Sequence, residues 1–149
     1  MEVMNSFVCF ALLAGAAIAA QASMNAHLGR LLGNPAHATV VAFGVGLTAL
    51  VALLAFTRQP PDLAAARTVP PYLWVAGGLL SSVAIVGFYW LIPRMGIGPM
   101  MSAALTGQLL VAMLFSHFGW FDQPVATLTP TRVAGAVTLL LGVLLVNRG

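Results

Sequence analysis

The chain is poor in charge. Asp, Glu, Lys and Arg make up 6% of its 149 residues, whereas 60% are hydrophobic. A soluble domain of this length cannot bury so much apolar surface, so its main solvent must be lipid. The three acidic residues, Glu2, Asp62 and Asp122, lie outside the long apolar runs. Lysine is absent and the six arginines are scattered, so no basic patch indicates nucleic-acid binding.

Cysteine occurs once, as Cys9, which excludes an intramolecular disulfide and a cysteine metal cluster. The sequence contains no nucleotide-binding loop, no nucleophile–base pair and no close set of metal ligands. We therefore expect no enzymatic activity, no cofactor and no metal site. Ala20-Gln21-Ala22 resembles a signal-peptidase site. However, no Lys or Arg precedes it and four more apolar runs follow it, so we expect the first run to remain as a membrane span.

Five apolar runs, punctuated by Pro, Gly or Arg, are each long enough to cross a bilayer. The predicted helices cover residues of about 4–28, 35–57, 71–93, 98–118 and 130–147. Asn34 and Pro35 are predicted to be the N-cap and first residue of the second helix, and Thr129 and Pro130 those of the fifth. The sequence thus predicts an all-α integral membrane protein with one transmembrane domain, residues 1–149.

The arginines are divided equally between the two sides of the membrane that five spans define. The side of the N-terminus has Arg58, Arg67 and Arg132, and the other side has Arg30, Arg94 and Arg148. The positive-inside bias that normally fixes orientation is therefore absent. Two interpretations remain open. In the first, Arg30, next to the membrane, counts more than Arg67 and fixes one orientation. In the second, the chain inserts both ways and pairs with itself antiparallel.

Several short motifs carry a resemblance to a known family. They are Gln21-x3-Asn25-x2-Leu28-Gly29-x3-Gly33-x-Pro35, Ala42-Phe43-x-Val45-Gly46, Pro93-Arg94-Met95-Gly96, Gly107-Gln108-Leu109 and His117-Phe118-Gly119-Trp120-Phe121. Over nearly its whole length the chain resembles the small YdcZ-like family of the drug/metabolite transporter superfamily. Ser116 departs from the family pattern, which often has an acidic residue before His-Phe-Gly, and this argues against a carboxylate role at that end.

The resemblance implies a five-helix half-transporter in a bacterial-type inner membrane. Larger members of the superfamily have ten helices in two inverted five-helix repeats. The resemblance implies that a short member completes this architecture by antiparallel homodimerisation or by pairing with a sister half-transporter. It implies an architecture rather than a cargo, because the family has no well-established substrate.

Polar side chains inside the spans are the candidates for solute binding. Gln21 and Asn25 are four residues apart and share a helix face. They either hydrogen-bond to other helices or line a cavity. Tyr89 and Trp90 are either interface anchors or stack on a solute. The predicted cavity residues are Gln21, Asn25, Gln108, Tyr89, Trp90, Ser102 and Thr106.

Small residues are candidates for helix packing, and histidines are candidates for proton transfer. Small residues at a spacing of four favour close helix packing, within one subunit or between two. The predicted packing residues are Gly15, Gly78, Ser82, Ala134, Thr138 and Gly142. His27, His37 and His117 lie near helix ends. They are either solvated interface residues or part of a proton relay.

The sequence therefore predicts a half-size secondary transporter of a small polar solute, neutral or an organic ion, with a cavity between antiparallel subunits. A carboxylate is absent from every span, so a permanent cation would lack a counter-charge, and a neutral or zwitterionic solute fits better. Its partners would be the lipid bilayer, a second copy or sister chain, and the solute, without nucleic acid. The alternative is a non-transporting membrane subunit that serves assembly or regulation of a larger complex.

Overall fold

The computed structural model describes residues 2–148 as helices joined by short connections. The helices are α1 (Glu2–Leu31), α2 (Pro35–Phe56), α3 (Leu63–Thr68), α4 (Pro71–Met95), α5 (Ile97–Phe118) and α6 (Pro130–Arg148), with a 3₁₀ turn over Trp120–Asp122. Within the described residues, five of these helices, all except α3, are long and apolar enough to cross a membrane. This confirms the prediction of an all-helical chain with five candidate spans.

The short helix α3 was not predicted. Asp62 begins it, because its carboxylate accepts hydrogen bonds from the backbone N–H groups of Ala64 and Ala65 at 2.9 and 3.1 Å. Such a cap satisfies N–H groups that the first helical turn leaves unpaired. The Asp62 carboxylate therefore stabilises the connection between the spans α2 and α4.

The chain divides into two compact units, and the first extends to Arg94. Its centre is the hairpin of α1 and α2, where Ala22, Ala26 and Gly29 of α1 are buried together with Ala38 and Thr39 of α2. All five are small, so the two backbones can approach closely. The larger apolar side chains of both helices point outward, as expected of surfaces that face lipid.

A tight turn closes this hairpin. Gly33 has a φ of +71°, which few residues other than glycine adopt readily. Asn34 follows as the N-cap of α2, and its side-chain oxygen accepts the Ala36 N–H at 2.8 Å. The predicted cap and the predicted proline in the first turn are both confirmed.

The second unit begins at Met95 and contains α5 and α6. Met100 and Thr106 of α5 are buried, and so is Ala136 of α6. Gly119, with a φ of +65°, follows α5 as its C-cap, so this helix ends at Phe118, the predicted last residue. Thr129 caps α6, because its hydroxyl accepts the Arg132 N–H at 3.3 Å.

The connection from α5 to α6 is held against the end of α5. The backbone N–H of Ala126 donates to the Ser116 carbonyl at 2.8 Å, and the Leu128 N–H donates to His117 Nδ1 at 3.4 Å. The rings of Phe115, Phe118, Trp120 and Phe121 pack against one another, with neighbouring centroids 5.4–5.5 Å apart. Aromatic side chains at a helix end suit the membrane–water interface.

None of the predicted packing residues is fully buried. A Cβ atom added at Gly15, Gly78 or Gly142 would meet nothing within 4 Å. The hydroxyls of Ser82 and Thr138 bond to the Gly78 and Ala134 carbonyls of their own helices, both at 2.9 Å. Their role in contacts between helices or between subunits stays a prediction.

Candidate functional site

Gln21, Asn25 and Tyr89 form a closed network of hydrogen bonds in the first unit. Asn25 Nδ2 donates to Gln21 Oε1 at 2.8 Å and to the Tyr89 hydroxyl at 2.9 Å. The Tyr89 hydroxyl in turn donates to Gln21 Oε1 at 3.0 Å. We call these three residues the amide–tyrosine network. It joins α1 to α4, two helices that are far apart in the sequence.

The helices hold each member of this network in place. Gln21 and Asn25 flank the buried Ala22 and Ala26 on α1 and are themselves half-buried. Tyr89 is only 2% exposed. A tyrosine so thoroughly buried in an apolar surrounding needs a partner for its hydroxyl, and the two amides provide both an acceptor and a donor.

The network leaves part of its hydrogen-bonding capacity unused. Among the described residues, none accepts from Gln21 Nε2 and none donates to Asn25 Oδ1. Neither atom is fully buried, since every buried side-chain N or O atom of the described residues has a partner. A primary amide has two N–H donors, and an amide oxygen has two acceptor sites. The network can therefore offer both donors and acceptors to a polar group that reaches it.

A groove with a volume of about 410 Å³ lies at the end of the first unit where α1 and α4 terminate. It is lined by Gly29, Arg30, Gly33, Pro35, Tyr89, Trp90, Pro93 and Arg94. We call it the arginine groove. Tyr89 belongs to both the groove and the network, so the two features are adjacent. Trp90 is 47% exposed and lines the groove, with the Arg94 guanidinium 3.8 Å above its ring centroid.

The predicted cavity residues on α5 have a different environment. The Ser102 hydroxyl bonds to the Pro99 carbonyl at 2.9 Å, and the Thr106 hydroxyl bonds to the Ser102 carbonyl at 3.0 Å. Both donors are therefore used on their own helix. Gln108 is exposed, and its amide has no hydrogen-bond partner among residues 4–148. A shared cavity with Gln21 and Asn25 remains a prediction for these three residues.

The three histidines lie in three different environments. Arg30 Nη2 donates to His27 Nδ1 at 3.0 Å, and His117 accepts from the backbone of the α5–α6 connection. His37 is exposed in the first turn of α2. In the part of the chain that the structure describes, no three His, Cys, Asp or Glu side chains are grouped so that they could hold a metal ion.

The sequence analysis named Gln21, Asn25 and Tyr89 as cavity residues but did not predict that they bind one another. The distance of each residue from the end of its helix was a usable signal. Asn25 lies six residues before Leu31, the end of α1, and Tyr89 lies six residues before Met95, the end of α4. The alternation of spans brings these two helix ends to the same side of the membrane. Each residue is thus about 9 Å from its helix end, at ~1.5 Å per residue. Arg30 and Arg94 are similarly matched, one residue before those ends, and their shared groove was missed.

Comparison with known proteins identifies one family. Its sequence pattern, described as "Putative inner membrane exporter, YdcZ", matches residues 6–145. No curated protein and no solved structure gives a significant match.

Proposed function

The chain belongs to the family described as "Putative inner membrane exporter, YdcZ", and from this premise we propose that it is a half-size secondary transporter that exports a small polar solute. Its family and its five candidate spans make it a multi-pass inner membrane protein. The observation that carries the proposal is the amide–tyrosine network, which has unused donors and acceptors at membrane depth. Polar groups at such depth are costly unless they bind each other or line a pathway.

The solute is neutral, zwitterionic or an organic ion that needs no carboxylate partner in a span. Asp62 and Asp122 lie in connections, and Asp62 is engaged as a helix cap. Amide groups recognise hydroxyl, carbonyl and amide groups by paired hydrogen bonds. The free donor of Gln21 and the free acceptor of Asn25 support such recognition.

Two chains, inverted with respect to each other, enclose the transport pathway in this proposal. The network of one copy has unused donors and acceptors, and a second copy would supply a facing wall together with its own network. Alternating access would follow from exchanging the conformations of the two halves. The balanced arginines support dual insertion. A sister half-transporter of opposite orientation would satisfy the same geometry.

The face of α6 that carries Ala134, Thr138 and Gly142 is available for contact between subunits. Ala136, two residues after Ala134, is the buried residue of this helix. Positions two apart on a helix point in nearly opposite directions, at about 200°. Ala134 and Thr138, each two positions from Ala136, therefore lie on the face away from α5, which supports their predicted role as a dimer contact.

Export can be measured by comparing the compounds that cells release into the medium. Bacterial cells would express the wild-type chain, Gln21→Leu or Asn25→Leu at equal abundance in the membrane, and the medium would be profiled by mass spectrometry. We expect compounds that accumulate with the wild type to fall ~10-fold or more with either variant, because polar contacts to the solute are lost.

Gln59→Leu is the matched control, since Gln59 is an exposed amide in the connection after α2. It should release the same compounds as the wild type. If Gln21→Leu and Asn25→Leu are also indistinguishable from the wild type, the network is only a contact between helices. The alternative of a non-transporting subunit would then be preferred.

A further inference from the structure

The arginine groove brings two guanidinium groups to one surface. Arg30 and Arg94 line the same groove of about 410 Å³, and its lining also includes Gly29 and Pro35. Two positive side chains at one surface repel each other unless an anion or solvent separates their charges. The groove is thus a concave surface that carries two positive side chains.

Each guanidinium is oriented by a neighbouring aromatic residue. Arg30 Nη2 donates to His27 Nδ1 at 3.0 Å. Arg94 stacks on the Trp90 ring at 3.8 Å and donates through Nη1 to the Trp90 carbonyl. A guanidinium carries five N–H donors in a planar fork. Each arginine therefore keeps several donors free while its position is restricted, which suits bidentate recognition of oxygen anions.

Among the described residues of the first unit, none supplies a carboxylate to this groove. The lining contains none. Asp62 lies between the end of α2 and the start of α3, whereas the hairpin turn lies at the start of α2. The 22 residues of α2 separate the two ends by about 33 Å at ~1.5 Å per residue. This is several times the screening length of about 8 Å at physiological ionic strength, so Asp62 does not neutralise the groove.

We propose that the arginine groove is a binding site for an anionic oxygen group, a carboxylate or a phosphate. Such a group can belong to a free small molecule or to the headgroup of an anionic lipid, because the groove lies at the end of two membrane spans. The recognition chemistry is the same for both sources. The site goes beyond the proposed export function, since occupancy requires neither transport nor a second copy of the chain.

Trp90 provides the readout, because its ring lies against Arg94 within the site. The full chain, with Trp74→Phe and Trp120→Phe so that Trp90 is the only tryptophan, would be placed in nanodiscs of zwitterionic phosphatidylcholine. Inorganic phosphate and succinate would then be titrated at constant ionic strength. A saturable change in Trp90 emission is expected for a free anion. In a second arm, nanodiscs with increasing phosphatidylglycerol would give the saturable change if the ligand is a lipid headgroup.

Arginine variants distinguish this site from general charge effects. Arg30→Gln and Arg94→Gln should each weaken binding ~10-fold or more, since a charge-assisted hydrogen bond contributes roughly 1.5–3 kcal/mol. Arg94→Lys should also weaken it, because a lysine keeps the charge but loses the fork. Arg67→Gln, in α3, is the matched control, and this variant should bind the anion as tightly as the chain that keeps Arg67. A response in either arm that depends on Arg30 and Arg94 supports the site. No saturable response in either arm, or equal effects of all the Gln variants, would overturn it.

Discussion

At the scale of single residues, the Tyr89 hydroxyl connects the two amides of α1 to α4. It accepts from Asn25 at 2.9 Å and donates to Gln21 at 3.0 Å. In lipid, water is not available to replace such partners. The hydroxyl is therefore expected to contribute to stability as well as to shape the site, and the two contributions can be measured separately.

Tyr89→Phe removes the hydroxyl and leaves one Asn25 N–H without its partner. We expect the free energy of unfolding to fall by about 0.6–2 kcal/mol, the range for hydrogen bonds between membrane helices. Unfolding in mixed micelles, followed by circular dichroism, would measure it. Tyr72→Phe is the control, because Tyr72 is 57% exposed and its hydroxyl has no partner among the described residues. Equal stability of the two variants would contradict an energetic role for the network.

At the scale of secondary-structure elements, the α1–α2 hairpin depends on the absence of a side chain at Gly29. A Cβ atom at this position would lie 3.1 Å from the Pro35 Cα and 3.5 Å from the Ala38 Cβ. The first of these neighbours is backbone, which cannot rotate away. Gly29 is therefore a position where close packing outweighs the low helix propensity of glycine.

Gly29→Ala should destabilise the chain by ~1–3 kcal/mol, because the two helices must separate to admit the methyl group. Gly15→Ala, in the same helix, should be neutral or stabilising by up to about 1 kcal/mol, since alanine is the better helix former. The space around Gly15 is open, with nothing within 4 Å of an added Cβ. Unfolding titrations of both variants under one set of conditions test the pair. A Gly29→Ala chain as stable as Gly15→Ala would show that the hairpin is not closely packed there.

At the scale of the whole molecule, orientation in the membrane decides whether two chains can pair inverted. Three arginines on each side give no net signal. A few added charges at one end should therefore be enough to impose a single orientation. This sensitivity to added charge follows from the equal arginine counts, because the orientation of a chain with many more arginines on one side would not change.

Three lysines added after Gly149 should restrict the chain to one orientation and abolish export. Co-expression with a copy biased the other way, by three lysines in the connection between α2 and α4, should restore it. Orientation is measured in intact cells on a Cys9→Ser background, with one cysteine at the C-terminus and a membrane-impermeant thiol reagent. For the unbiased chain we expect about half of the molecules to be labelled from outside, because no positive-inside bias selects one orientation. Labelling of the unbiased chain from a single side, or export by the biased chain alone, would exclude the antiparallel homodimer and favour a sister chain.

Local sequence signals were sufficient for the five long helices of this protein, although not for the short helix α3. The apolar runs predicted five spans, and all are helices of sufficient length and hydropathy. Asn34 and Thr129 were predicted as caps, because a side-chain oxygen next to a helix start acts on its own first turn. The motifs indicated the family that matches residues 6–145. Hydropathy, capping and motifs all act over short distances along the chain, so the sequence determines them directly.

The contacts between elements were decided only by the tertiary structure. The amide–tyrosine network joins Asn25 and Gln21 to Tyr89, 64 and 68 residues away in the sequence. The sequence predicted that the amides need partners, but which partner each one has depends on how the helices are rotated and how deep each residue lies. The pairing of Arg30 with Arg94 in one groove has the same origin. In lipid, an apolar helix face gains little by contacting another helix rather than a lipid tail. The periodicity of apolar residues therefore cannot determine how each helix is rotated, and the contacts in the folded structure determine it.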